Sequence, residues 1–379
     1  MNISEASDSQ TWDAFFLSQH WKPFLQSWTM GEVYREIGQE PVRLIVTDNE
    51  RIVAICFGHV VPAKRGKHLS VPYGPVIDKD ISESKRAETS KILFQALKEE
   101  AEKKKCSFLR ISPFWPESPT QTQTTAKPPF LPSGESGRGI GGFVPSPLHL
   151  LAEHIWYLKL KEKGVAKTEE SLLAGMRKTT RNLVRRASKD GVTVTASDSP
   201  ERDIEIFLKL HNETHRRHGF TPYTEAFFRA QVWHFAPKKQ CSIYLAEFQG
   251  EVIATSIHMH FGGETSYHHG ASSDRFSKVP ASYLLQWAAI SDSLRRGDDI
   301  YNFWGIAPPS SPAPDTPPSP LGKKGPGDRG KHPFAGVTLF KTGFGGELLN
   351  LTHCFDIPLT KKYWLTYWFE KIRKWRRGF

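Results

Sequence analysis

Tyr267-His268-His269-Gly270-Ala271-Ser272-Ser273 opens the stretch whose reading decides the fold. An apolar-periodic run from Ala281 to Leu294 follows, then Arg296-Gly297-Asp298-Asp299 and the strand-like Ile300-Tyr301-Asn302-Phe303-Trp304-Gly305-Ile306. Beyond a proline-rich interval it closes with Thr338-Leu339-Phe340-Lys341-Thr342-Gly343-Phe344-Gly345-Gly346. The order is polar turn, buried helix, strand, and a second strand ending in glycines. Read physically, that last strand delivers Phe340 and Lys341 to a turn where backbone can approach a ligand closely, with one cation beside an aromatic face.

Upstream, the same phrasing occurs twice. Val42-Arg43-Leu44-Ile45-Val46, the turn Asp48-Asn49-Glu50 and Arg51-Ile52-Val53-Ala54-Ile55-Cys56-Phe57 read as a hairpin after helical sequence over residues 10–38. A long helix from Ser82 to Lys105 and the strand Ser107 to Ser112 come next. In the second half, a helix from Ser171 to Lys189, the strand Val192–Val194 and helices from Pro200 to Arg217 and Thr224 to Phe235 precede the hairpin Ser242–Glu247 with Glu251–His260. Helix, hairpin, helix and strand together suggest an α/β acyltransferase-like unit with mixed sheets, present twice. The expected divisions are 1–157, 158–351 and a terminal basic-aromatic helix, 352–379, packing back on the first domain. Residues 116–142 and 308–332 are inserts dense in proline and small polar residues, which cannot bury enough apolar surface to offset their ordering entropy. Within the first, Arg138-Gly139-Ile140-Gly141-Gly142-Phe143 approaches an acetyl-CoA pyrophosphate loop, but Phe stands where Gly or Ala is needed and no strand leads in.

With 379 residues, 38% hydrophobic and 24% charged, the chain suits two or three folded domains. The first fifteen residues are polar and acidic, without the basic and apolar regions of a secretory signal, and no run of eighteen apolar residues follows. The expected location is the cytoplasm. Cys56, Cys106, Cys241 and Cys354 match no zinc or redox spacing and read as buried free thiols.

The net charge of +11 is local. Arg177, Lys178, Arg181, Arg185, Arg186 and Lys189 stand together without an acid among them, and residues 361–379 carry seven Lys or Arg against Glu370. If Ser171 to Lys189 is one helix, Arg177, Arg181 and Arg185 form a stripe that repels itself unless an anion answers it, and RNA phosphate is the natural candidate. In the tail, Trp364, Trp368, Ile372 and Trp375 share a helical face with cations on the others, which suits an anionic membrane surface. His211, His215 and His218 share a face too, but lack a carboxylate partner and have Arg216 and Arg217 beside them, so no metal is expected.

The order Gly270-Ala271-Ser272-Ser273, Tyr283-Leu284-Leu285-Gln286-Trp287, Tyr301 to Ile306 and Phe340 to Gly346 resembles the C-terminal half of the Fem-type (FemABX) peptidyltransferases. The resemblance extends to Met176-Arg177-Lys178-Thr179-Thr180-Arg181 and Phe24-Leu25-Gln26-Ser27-Trp28, and covers most of the chain outside the inserts. It implies tandem GNAT-like domains and transfer of an amino acid from aminoacyl-tRNA to the stem-peptide amine of a peptidoglycan precursor, without metal or cofactor. It implies catalytic roles for Lys341 and Phe340, precursor binding by Tyr283, and tRNA binding at Arg177, Lys178, Arg181 and Arg185. An aminoacyl ester is already activated, so the task is to position the amine and stabilise an oxyanion, for which an ammonium at Lys341 is suited. The family's diphosphate-clamping lysine falls near Glu32 to Arg35, where Arg35 is the substitute, while Ser242 and Ser112 occupy an arginine and an aspartate position. A lipid-linked acceptor, met at the inner membrane face, is one consequence. No charged heptad segment for a coiled-coil arm is present. A CoA-dependent N-acyltransferase and a non-catalytic RNA- or membrane-binding protein are the competing readings.

Overall fold

The computed structural model describes residues 1–64, 66–117, 142–218, 223–309 and 334–377, excluding the side chains of Arg217, His218 and Arg377. Most of both inserts, residues 138–141 of the loop noted above, and the His218 side chain therefore lie outside the described residues. The chain divides into two compact units, Met1–Glu153 with Asn350–Phe379 and His154–Leu349.

Unit 1 begins with β1 (Asn2–Glu5), α1 (Ser9–Leu17) and α2 (Trp28–Glu36), then the hairpin β2 (Pro41–Asp48) and β3 (Arg51–Val61). It continues through β4 (His68–Pro72), β5 (Val76–Ile77), α3 (Glu83–Lys103), β6 (Phe108–Ser112) and β7 (Val144–Pro145). Unit 2 starts with β8 (His154–Lys159), the small ribbon β9 (Lys161–Glu162) and β10 (Val165–Ala166), α4 (Glu169–Gly175), α5 (Lys178–Lys189) and β11 (Thr193–Ala196). After α6 (Pro200–His218) and α7 (Glu225–Phe235) come β12 (Cys241–Phe248), β13 (Glu251–Phe261), β14 (Glu264–Ser272), α8 (Ala281–Arg296), β15 (Ile300–Gly305), α9 (Ala335–Thr342) and β16 (Glu347–Asn350). The chain then re-enters unit 1 as β17 (Phe355–Pro358) and α10 (Tyr363–Arg377).

Each unit is built on one mixed sheet of the same plan. In unit 1 the order is β1-β2-β3-β4-β6-β17-β7, with β5 also on β3, and in unit 2 it is β11-β12-β13-β14-β15-β8-β16. A hairpin and third strand are followed by a crossover helix and a parallel strand: β4 runs parallel to β6 across α3, and β14 parallel to β15 across α8. Parallel neighbours require such a crossover, which explains why each long helix falls where it does. The next strand is borrowed from far along the chain. β17 pairs antiparallel to β6, with Ile357 opposite Leu109, and β8 pairs antiparallel to β15, with Leu158 opposite Tyr301.

The helices earn their positions by their apolar faces. α3 buries Leu93, Phe94, Leu97 and Ala101 against sheet residues such as Leu69, Leu109 and Ile357, and α8 buries Ala281, Leu285, Ala289 and Ile290 with Tyr301, Phe303 and Phe344. Each fully buried large side chain contributes roughly 1.5–3 kcal/mol. All four cysteines are free and buried.

The single helix expected over residues 10–38 is instead α1, a short 3₁₀ turn at Phe24–Gln26, and α2. Gln26 is the reason: its Nε2 donates to the Phe57 and Pro72 carbonyls at 2.9 and 2.6 Å, its Oε1 accepts from the Phe57 N–H at 2.9 Å, and its own carbonyl accepts from Trp12 Nε1 at 2.9 Å. Those buried bonds hold the backbone off the helical path, and Ser27 then caps α2 through the Met30 N–H. The Phe24–Trp28 motif is thus a structural staple of unit 1.

Candidate functional site

Lys341 is buried in unit 2, at 7% exposure, and its ammonium donates to the Gly305 carbonyl at 2.7 Å. The Tyr267 ring lies beside it, with Nζ 5.6 Å from the centroid, and the described residues place no carboxylate in contact with it. Burial pulls its pKa from the usual lysine range down to about 7. The acceptor carbonyl belongs to an irregular strand end: the β15–β8 register shifts between Asn302 and Gly305, and Trp304 adopts a left-handed φ of 66° with its N–H on Asn302 Oδ1 at 2.8 Å. A bulge of this kind redirects backbone groups at the rim of a sheet.

Phe340 and Lys341 were expected on a strand, and they lie on α9 instead. The β-branched and aromatic residues of Thr338–Phe340 favour strands in general, but here Thr342 bonds back to the Thr338 carbonyl at 2.9 Å and Thr338 accepts the Ala307 N–H at 2.8 Å. The helix ends at Gly343, and the left-handed Gly345 and Gly346, with φ of 84° and 112°, turn the chain into β16. A Cβ at Gly346 would also collide with the Tyr157 carbonyl, so both sterics and φ require glycine there. Phe340 packs edge-on against Tyr283 at 4.9 Å, and Phe344 lies 6.0 Å from the same ring. Tyr283, in the first turn of α8, is half-buried. Burial raises its phenol pKa, and nearby Arg177 opposes that rise. The structure therefore gathers Lys341, Phe340 and Tyr283 around α9, with Arg177 on its flank.

The basic helix is two helices. The chain breaks at Met176 and Arg177, so Arg177 precedes α5 rather than continuing the stripe. Its N–H bonds to the Gly343 carbonyl at 2.8 Å, and its guanidinium reaches the Leu339 carbonyl at 3.3 Å and Thr342 Oγ1 at 3.2 Å. Docking of the α9 end imposes this break, and cations favour such a helix C-terminus. Arg181 caps α4 through the Leu173 and Ala174 carbonyls at 3.0 and 3.3 Å. Arg186 pairs with Asp190 at 3.2 Å, an acid placed just outside the basic run. Thr180, Val184 and Ala187 form the buried face of α5, and Lys178 and Arg185 stand exposed on the other.

Arg35 belongs to unit 1. It contacts Glu32, whose other oxygen holds Arg43 at 2.6 Å; Arg43 in turn lies 4.0 Å above the Trp28 ring. Sequence reasoning passed over Arg43 because a lone arginine inside a strand pattern carries no spacing signal. Ser112 Oγ bonds Cys354 Sγ at 3.2 Å and Ser242 Oγ bonds His260 Nε2 at 2.9 Å, so both serines serve their own units. His211 stacks on Phe207 at 5.3 Å, inside an aromatic cluster. An open depression of about 720 Å³ in unit 1, lined by Gln10, Gln19, Arg51, Asp78 and Lys79 among others, contains none of the residues singled out from the sequence. On α10, Tyr363 and Thr366 face inward while Leu365, Trp368, Phe369, Ile372 and Trp375 are exposed, Trp375 at 81%. Trp364, expected on the same face, is half-buried. Among the described residues no helix is long and apolar enough to cross a membrane.

The sequence profile of the FemAB family matches residues 8–131 and 249–371, and that of the acetyltransferase (GNAT) domain matches residues 174–309. The UDP-N-acetylmuramoylpentapeptide-lysine N(6)-alanyltransferase of Weissella viridescens is 27% identical over 127 residues, 34% of this chain and 37% of that protein. The match thus spans little more than a third of that relative's length. The crystal structure of FemX superposes with a TM-score of 0.70 at 16% identity, covering 97% of this chain and 99% of that one. A tandem GNAT protein from the clavulanic acid biosynthesis pathway superposes at 0.52 with 10% identity, covering 94% and 98%. Two GNAT-like units in tandem are the fold these likenesses share.

Proposed function

The chain belongs to the FemAB family, and from that premise we propose that it transfers an aminoacyl group from aminoacyl-tRNA to the side-chain amine of a peptidoglycan-precursor stem peptide. The observation that carries this reading is Lys341: a buried amine with one hydrogen-bond acceptor among the described residues, between an aromatic ring and an irregular strand end. Transfer from an ester to an amine needs the amine held against the carbonyl and the developing oxyanion met by a preorganised charge. Lys341 supplies that charge where water is scarce, Phe340 packs beside the aminoacyl end, and Tyr283 presents a hydroxyl to the precursor. Lys178 and Arg185 contribute to the tRNA-binding face, Arg177 and Arg181 set its geometry as well as its charge, and Arg35 answers precursor phosphate in unit 1.

The CoA-dependent reading is disfavoured by the segment between β14 and α8, residues 273–280, which contains no glycine to cradle a pyrophosphate. The exposed apolar face of α10, edged by Lys361, Lys362, Lys371, Lys374 and Arg376, favours work at the inner face of an anionic membrane, and with it a lipid-linked acceptor.

The test follows labelled amino acid from a mixed aminoacyl-tRNA pool onto nucleotide-linked and lipid-linked precursors. Labelled precursor is expected, reduced on the order of 100-fold in Lys341→Met, the size of effect that follows loss of an oxyanion donor. If the ammonium is the working form, transfer falls as pH rises through about 7. A rate that climbs through that pH instead makes Lys341 the base that frees the acceptor amine. No transfer to either precursor sinks the reading.

A further inference from the structure

Two hundred residues apart in sequence, three side chains of unit 1 converge outside the Lys341 site. Glu153 Oε2 lies 3.1 Å from His149 Nδ1 and 2.9 Å from His353 Nδ1, and all three ligand atoms lie within 4.8 Å of one another. The groups behind them are held in turn. His353 Nε2 donates to the Ser146 carbonyl at 3.0 Å, and Glu153 Oε1 accepts the Cys354 N–H at 2.9 Å. With a proton committed to Nε2, a neutral His353 aims the lone pair of Nδ1 at a carboxylate oxygen. Two lone pairs at that distance need a positive charge shared between them, either a proton or a metal ion. His149 Nδ1 faces the same oxygen, so three atoms able to ligate a metal converge on one place.

We propose that His149, Glu153 and His353 form a binding site for a divalent first-row transition metal, zinc foremost. Two imidazoles and a carboxylate are donors for such ions rather than for magnesium or calcium. Tetrahedral metal–ligand bonds of about 2.0–2.2 Å set neighbouring donors roughly 3.3–3.6 Å apart, a few tenths of an ångström beyond the two separations from Glu153 Oε2 here. The Ser146 and Cys354 backbone bonds are the outer contacts that orient metal ligands and fix a histidine tautomer. His149 and His353 are part-exposed, which gives the ion an entry path and leaves positions for water. The site has a structural consequence. The chain leaves unit 1 after Glu153 and returns at Asn350, and the Glu153 carbonyl already accepts the Leu351 N–H at 2.8 Å. A bound ion clamps the outgoing and returning segments together and seats β17.

The experiment uses the full chain stripped with chelator and titrated with zinc by calorimetry, and with cobalt as a spectroscopic probe of nitrogen and oxygen ligation. One ion per chain is expected, with a rise in Tm that chelator reverses. Glu153→Gln and His353→Ala should each weaken binding at least tenfold, as should His149→Ala, whose exposed side chain leaves folding intact. Absence of zinc binding at micromolar concentration, or binding unchanged in His149→Ala/His353→Ala, overturns the proposal and leaves an imidazolium–carboxylate pair. The outcome is independent of aminoacyl transfer, because the readouts are metal content and Tm.

Discussion

Lys341 is held where its charge is least comfortable. Its pKa near 7 in the fold, against about 10.5 in an unfolded chain, means that the unfolded state binds the extra proton between those values. Stability therefore rises with pH from 7 towards 10, and the burden of the buried ammonium is fully present below 7. Lys341→Met removes that burden and gives up one hydrogen bond, worth about 1 kcal/mol. The variant is expected to lose activity while melting higher than the parent at pH 7, with the difference shrinking as pH approaches 10. Thermal melts across that range check it, and a variant that melts lower throughout would mean that the Gly305 contact outweighs desolvation. Residues of this kind were legible only by type: Phe340-Lys341-Thr342-Gly343 named a candidate, but nothing in those letters foretold the carbonyl that receives the ammonium.

At the scale of elements, α9 and α10 show how context overrides local preference. α9 has strand-favouring letters and is a helix, in which Thr338 meets the Ala307 N–H, Thr342 meets the Arg177 guanidinium, and a left-handed glycine turn follows. α10 has the periodicity of a core helix, yet the structure leaves most of its apolar stripe outside. What the helix buries is Tyr363 and Thr366, with Glu370 reaching Arg110 at 2.7 Å. The exposed stripe beside a row of cations is expected to adsorb to vesicles rich in phosphatidylglycerol and to ignore neutral ones. Trp368→Ala/Trp375→Ala should weaken adsorption at least about tenfold, as two interfacial tryptophans imply. Vesicle sedimentation measures this, and equal partition of parent and variant would assign the face to another partner. The broken basic helix belongs to the same lesson: its cations were readable, but the division between those that answer backbone and those left exposed was not.

The whole molecule depends on pairings between distant parts of the chain. Arg110 makes a bidentate contact with Asp356, 2.7 and 2.8 Å across 246 residues, and Tyr363 adds a bond at 3.1 Å to the same carboxylate. Asp356 is fully buried, so Asp356→Ala leaves Arg110 short of a partner and should cost about 3 kcal/mol, more than a surface ion pair ever contributes. Chemical denaturation of parent and variant tests this. A loss below about 1 kcal/mol would show that Glu370 alone satisfies the arginine.

The sequence by itself determined the mixed α/β class, the repeated hairpin–helix–strand plan and the local concentration of charge, and it pointed to Lys341 as a candidate, because each is written in periodicity, composition or contiguous motif. Tertiary structure alone decided that α9 is helical, that β17 and β8 complete sheets begun far away in the chain, that Gln26 works as a staple, and that His149, Glu153 and His353 meet. Those outcomes are set by pairings of groups tens to hundreds of residues apart. Such pairings leave no trace in local pattern, since hydrogen-bond partners are chosen by position in space rather than by position along the chain.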